Sequence, residues 1–163
     1  MSKGYSGLFH GTIGSAAMGS ADYMNPTDNF SQNIKRRKDI DANGFYDIIA
    51  HGKPTYIQIY HNGQKIIIDH RITASLLKHN KQYQGQGIRL LSCSTGQLNN
   101  GFAQNLANKL NRPVKAPTDI LWALPNGVYY VTAGKFMNGN YIEDFRYPGK
   151  FKTFYPQRGK INA

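Results

Sequence analysis

A chain of 163 residues is long enough for one domain with a continuous core and too short for two comfortable ones. Its 20 Lys and Arg against 9 Asp and Glu give a formal net charge of +11, which predicts attraction to anionic partners: nucleic acid, an inositol phosphate or other polyanion, or an acidic protein. One cysteine excludes an internal disulfide, no run of ~18 apolar residues is present to span a membrane, and the N-terminus lacks the apolar stretch of a cleavable signal peptide, so any export is expected to use another route.

Residues 1–40 are rich in Gly, Ser and Asn, and Gly11, Gly14 and Gly19 interrupt any helix or strand period. They are expected to form an irregular arm or linker, with Tyr5, Leu8, Phe9 and Tyr23 as anchors and His10 packed in a loop. A single α/β domain is then expected over residues 41–163. Lys35-Arg36-Arg37-Lys38, the densest charge run, reads as a solvated helix end or a site for phosphate or an acidic surface. Asp39 to Gly44 reads as the turn into the first core strand.

Residues 45–50 form an apolar strand-like run that ends in His51-Gly52. Residues 55–60 and 65–68, separated by His61-Asn62-Gly63-Gln64, predict a hairpin turned at Asn-Gly. Thr73 is expected to cap a helix carrying Leu76 and Leu77 that stops before Gly85 and Gly87. Residues 88–92 form a second apolar run that breaks off at Ser-Cys93-Ser-Thr-Gly. Strand, hairpin, helix and strand make a crossover suited to a parallel pair, which would carry His51 and Cys93 to the same sheet edge. Ligands bind beyond the carboxyl ends of such strands, and a thiol beside an imidazole is a useful nucleophile.

Phe102, Ala103, Leu106, Ala107 and Leu110 recur at helical spacing, and the amino end of that helix is expected to face the crevice and favour a thiolate. Residues 113–117 predict a short strand. Residues 118–124, with the sole tryptophan Trp122, lead through an Asn-Gly turn to an antiparallel edge strand over 127–131. The remainder is an aromatic tail with Arg146, Lys150, Lys152, Arg158 and Lys160.

A strand ending in His51-Gly52, an inserted hairpin and helix, and a strand ending in Leu-Leu-Ser-Cys93 resemble the caspase-like cysteine peptidases of clan CD, including autoprocessing domains of large bacterial toxins. The segment from Phe102 to Thr118 is similar to C-terminal modules of bacterial polymorphic toxins. The resemblance covers roughly residues 41–132. It implies a caspase-like sandwich, a partly parallel central sheet flanked by helices with a β-hairpin after the histidine strand. It also implies a dyad in which His51 is base or orienter, Cys93 the nucleophile, and the amides of Gly52 and Cys93 the oxyanion donors. No third catalytic residue is evident, and no match to the caspase substrate-pocket arginine is present, so aspartate specificity is not inherited. Ser92, Ser94, Asp119 and Trp122 are the candidate substrate-binding residues.

The expected activity is a secreted or delivered toxin or effector peptidase, working on a protein through a thioester in the target-cell cytoplasm, with no cofactor or metal and with an acidic immunity protein as partner. A glutamine deamidase or transglutaminase would use the same dyad. A basic nuclease or nucleic-acid-binding toxin is the reading from another class, drawn from the charge, the aromatic residues and the histidines His61, His70 and His79, with Asp69 beside His70. A paired thiol is expected to alkylate at pH values where a free thiol is still protonated.

Overall fold

The computed structural model describes residues 20–22, 24–25, 27–39 and 44–159. In chain order the elements are β1 (Ser20–Asp22), α1 (Asn29–Ile34), β2 (Tyr46–Ile49), β3 (His51–Lys53), β4 (Tyr56–His61), β5 (Gln64–Ile68), α2 (His70–Lys78), β6 (Ile88–Leu91), α3 (Phe102–Leu110), β7 (Val114–Pro117), β8 (Ile120–Ala123), β9 (Tyr129–Met137), β10 (Asn140–Pro148) and β11 (Phe151–Phe154).

The two apolar runs become the adjacent parallel strands β2 and β6, every residue of which is buried. Burial on both faces is what a near-continuous apolar run demands. They lie inside a five-stranded sheet of order β1-β2-β6-β7-β11, in which the first four strands are parallel and β11 is antiparallel to β7. Strand alternation divides the core in two. Tyr46, Ile48, Ile88 and Leu90 pack with α2, α3 and the β4–β5 hairpin, whereas Ile49 and Leu91 pack with Ile34 of α1, Leu121 of β8 and Val131 of β9. The result is a mixed α/β protein with a mixed sheet and flanking helices in a sandwich-like arrangement. Among the described residues no helix is long and apolar enough to cross a membrane.

The hairpin forms at its predicted place, because Asn62 (φ 50°) and Gly63 (φ 78°) both adopt the left-handed conformation its tight turn requires. Other expectations are corrected. The first 19 residues, with the anchors Tyr5, Leu8 and Phe9 and with His10, lie outside the described residues, as does Tyr23. Residues 20–22 and 29–34 are not irregular: β1 extends the central sheet beside β2, and α1 buries Ile34 completely. The helix cap at α2 is Asp69, whose carboxylate accepts the Ile72 amide at 3.0 Å, while Thr73 is buried one turn later and donates to the Asp69 carbonyl. Strand β9 is no edge; it is the middle strand of the sheet β10-β9-β8. The aromatic tail is structural too, since β11 closes one side of the central sheet and buries Phe154.

The basic run 35–38 is not wholly solvated either, for Arg37 is only 1% exposed. Its Nε and one terminal nitrogen donate to Asp47 Oδ2 at 3.0 and 2.8 Å, and its other terminal nitrogen donates to the Ile34 carbonyl. Asp47 stands opposite Arg89 in the β2–β6 register and receives two further bonds from it, both 2.7 Å. Arg89 also reaches Asp39 and the Tyr129 hydroxyl, each at 2.8 Å, and Tyr129 donates to Asp39. Burial alone would raise the Asp39 carboxyl, but the bonds from Tyr129 and Arg89 and the arginine's charge hold it below its ordinary value. Buried charge is tolerated here because each group is paired and hydrogen-bonded.

Candidate functional site

The β2–β6 register ends with Ile49 opposite Leu91, and the Ala50 amide continues the ladder to the Leu91 carbonyl. His51 and Cys93 each stand two residues beyond that last pair. Cys93, in the turn after β6, packs against the core on the face of Ile49 and Leu91, which α1 and β8 cover, while His51 opens β3, which leaves the central sheet to pair with β4 in the sheet β3-β4-β5. Cys93 and Phe30 of α1 both pack against this part of the core, and the Phe30 ring lies 6.3 Å from the His51 imidazole.

The histidine chain departs at Gly52, which folds back over the cysteine loop. A Cβ on Gly52 would lie 2.6 Å from the Cys93 carbonyl oxygen, 2.7 Å from Thr95 and 2.9 Å from Ser92, so only glycine permits this approach. The two backbones named as oxyanion donors are therefore in direct contact. The cysteine loop itself is tied down by the connection from β7 to β8: the Ser94 amide donates to the Asp119 carbonyl at 3.0 Å and Gly96 to Pro117 at 2.8 Å. Ser94 adopts a left-handed φ of 61° in making this turn.

His51 has a partner that no local sequence signal connects with it. Its Nε2 lies 2.7 Å from Oδ2 of Asp28, whose other oxygen accepts the Ser31 amide and so caps α1. A carboxylate only accepts, so the neutral imidazole carries its proton on Nε2 and presents Nδ1 as the basic nitrogen. The imidazole is 46% exposed, and with Asp28, Thr27, Gln58, Tyr60 and Lys65 it lines a cleft of about 160 Å³. Cys93 is not on that cleft's wall. A Pro-Thr-Asp-Asn sequence before an apolar residue signals a helix start, which is the only trace of Asp28 that sequence reading offers.

The thiol is held differently. Its sulfur accepts the Leu121 amide at 3.4 Å and faces the Leu121 carbonyl at 3.9 Å. Burial pushes the Cys93 thiol up, and the Asp119 charge acts in the same direction, against the smaller pull of the Leu121 amide and the Lys53 charge. This differs from the expected acidified thiol. The amino end of α3 gives no help, because the Phe102 and Ala103 amides already donate to the carbonyls of Pro54 and Thr95.

The four candidate substrate-binding residues separate. Ser92 is 1% exposed and its hydroxyl is 3.0 Å from that of Thr95, a buried structural bond. Trp122 alternates with Leu121 along β8 and so faces away from Cys93; its indole donates to the Thr132 carbonyl and stacks on Tyr141. Ser94 and Asp119 remain half-buried beside the thiol. The histidines of the nuclease reading do not converge: His70 and His79 sit at opposite ends of α2, and His61 ends β4. Among the described residues no three His, Cys, Asp or Glu gather as a metal would require.

No curated protein and no solved structure matches this chain. A family model described as a domain of unknown function (DUF8616) matches residues 19–131, a span that begins at β1 and contains Asp28, His51 and Cys93, and the chain belongs to that family.

Proposed function

We propose that the protein is a cysteine peptidase-like toxin or effector domain of caspase-like type, acting on a protein substrate in the cytoplasm of a target cell. The observation that carries this reading is the placement of His51 and Cys93 two residues past one register pair of adjacent parallel strands, with the Gly52 backbone against the Cys93 carbonyl. The Asp28 carboxylate supplies the orienting group of a triad.

In this scheme Nδ1 of His51 takes the thiol proton as Cys93 Sγ attacks the scissile carbonyl. The oxyanion forms against the amides of Gly52 and Cys93. Collapse expels the amine, which leaves with the proton from the imidazolium, and a thioester remains on Cys93. Water deprotonated by the same imidazole hydrolyses it, releasing the carboxylic acid and restoring the thiol. A thiol raised by burial stays protonated at rest, so transfer to His51 accompanies substrate entry.

The test is to incubate the purified chain with a cytosolic protein extract and map products by mass spectrometry. New protein N-termini that vanish with Cys93→Ala support the peptidase. Glutamine-to-glutamate changes in intact chains would replace it with the deamidase, and activity that survives Cys93→Ala would end both readings.

Asp28→Ser offers a second test, because serine still caps α1 but cannot reach the imidazole. Turnover of an identified substrate is expected to fall about tenfold or more with KM little changed and the melting temperature kept. Unchanged turnover would remove Asp28 from the scheme.

At rest, native Cys93 should alkylate with iodoacetamide more slowly at pH 8 than the urea-unfolded chain does, because its sulfur is packed against Leu121. Labelling at equal rates would show that the thiol is not held as described.

A further inference from the structure

The outer face of the β10-β9-β8 sheet carries a row of aromatic rings that the peptidase scheme does not use. Val131 of β9 points to the core, so alternation puts Tyr130, Thr132, Gly134 and Phe136 on the opposite face, where Thr132 is covered by β10 and Tyr130 and Phe136 present their rings. The register adds Trp122 opposite Tyr130 and Tyr141 opposite Phe136. Neighbouring rings are in contact: Phe145 and Tyr130 at 5.7 Å between centroids, Trp122 and Tyr141 at 6.1 Å, Tyr141 and Phe136 at 4.8 Å. The Tyr141 ring lies flat across Gly134, where a Cβ would come within 2.5 Å of it.

The row is held ready rather than collapsed. Between Asp144 and Pro148 the β10 register shifts, so that Phe145, Arg146 and Tyr147 bulge outward. The buried Thr132 hydroxyl spans the bulge, 2.7 Å from the Asp144 carbonyl and 3.1 Å from that of Tyr147. Phe145 is left 68% exposed and Phe136 78%. Aromatic surface of this extent is rarely left to water without a partner.

Charge and shape select the occupant. Both carboxylates of this stretch are engaged, Glu143 by the Tyr130 hydroxyl and Asp144 by two bonds from Arg146 at 2.9 Å, while the chain as a whole carries +11. Two copies would repel each other. From Tyr130 to Phe136 the rings extend about 20 Å along β9, a track rather than the compact central pocket of a protein hot spot. Single-stranded nucleic acid supplies bases for such rings and phosphates that complement the chain's excess of positive charge. We infer that this face, centred on Trp122, Tyr130, Phe136, Tyr141 and Phe145, binds single-stranded RNA or DNA by stacking. The inference does not depend on the peptidase reading, and Cys93→Ala should leave it intact.

The test uses the full chain and a ~12-nucleotide oligouridylate or oligothymidylate, a length within the usual single-strand site sizes. Because Trp122 is the sole tryptophan and lies in the row, stacking is expected to quench its fluorescence on titration. Affinity should fall steeply from ~50 to ~200 mM salt. Phe136→Ala with Phe145→Ala should weaken binding about tenfold or more with an unchanged melting temperature, since both side chains are mostly solvated. Absence of binding at ~50 mM salt would overturn the inference. So would binding that ignores the two ring substitutions, which would reduce it to charge alone. Ring-dependent binding of a polyglutamate peptide with none of either oligonucleotide would assign the face to an acidic protein and also overturn it.

Discussion

Cys93→Ala and His51→Ala are each expected to abolish growth arrest when the chain is expressed in a target cytoplasm, and to lower cleavage of an identified substrate by about three orders of magnitude or more. Neither substitution should unfold the protein. The imidazole is close to half exposed, and removing one sulfur from a half-buried position at the edge of the core is a small truncation. Because the proposed scheme has both residues serve one proton transfer, the double variant should be no worse than either single one. Retained arrest in either variant, at wild-type expression and melting temperature, would dissolve the pairing of His51 with Cys93.

The largest effect on stability is expected at Asp47. Its carboxylate lies between two buried guanidinium groups, so, among the described residues, Asp47→Ala leaves Arg37 with only the Ile34 carbonyl and Arg89 with only the half-exposed Asp39 and the Tyr129 hydroxyl. Breaking a buried pair by removing one partner costs about 3–5 kcal/mol, against a total stability of about 5–15 kcal/mol for a domain of ordinary stability. The urea midpoint should fall accordingly. Replacing Arg37, Asp47 and Arg89 together by Met, Leu and Leu should recover much of the loss, because an apolar set needs no pairing. A loss under about 1 kcal/mol for Asp47→Ala would mean that water reaches these groups. The substitution also bears on the site. Helix α1 is fastened at its start to His51 of β3 by Asp28 and just past its finish to Asp47 of β2 by Arg37, so loosening Arg37 is expected to loosen the carboxylate that the proposed scheme assigns to orienting the imidazole.

The elements that read clearly in the sequence are those whose signals are local. The Asn62-Gly63 turn, the apolar runs of β2 and β6 and the helical stripe of α3 each announce themselves within a few residues, and the parallel pairing follows from the length of the crossover. What stayed hidden depends on distant partners. Arg37 sits in a run of four cations, which composition reads as solvent-facing, and only the fold reveals Asp47 beneath it. Asp28 is 23 positions from His51, and no period connects them. Strand β9 looked like an edge because the strand that flanks it, β10, was hidden in a tail whose aromatic and basic residues carry little alternation. The thiol's environment was misjudged for the same reason: proximity to a helix start is visible in sequence, but its amides were already committed to Pro54 and Thr95.

The antiparallel strand at one side of the central sheet has a bearing on how the protein is made. Strand β7 pairs with β6 on one flank and, on the other, with β11, so its Val114–Pro117 backbone stays uncovered until Phe151–Phe154 has left the ribosome. The sheet is thus completed only once residue 154 has emerged, and a nascent chain that stalls before residue 151 displays an open strand edge able to pair with a neighbouring polypeptide. A ribosome that pauses in this interval holds that edge exposed for longer, and synthesis that runs through it without delay favours a chain that closes on itself.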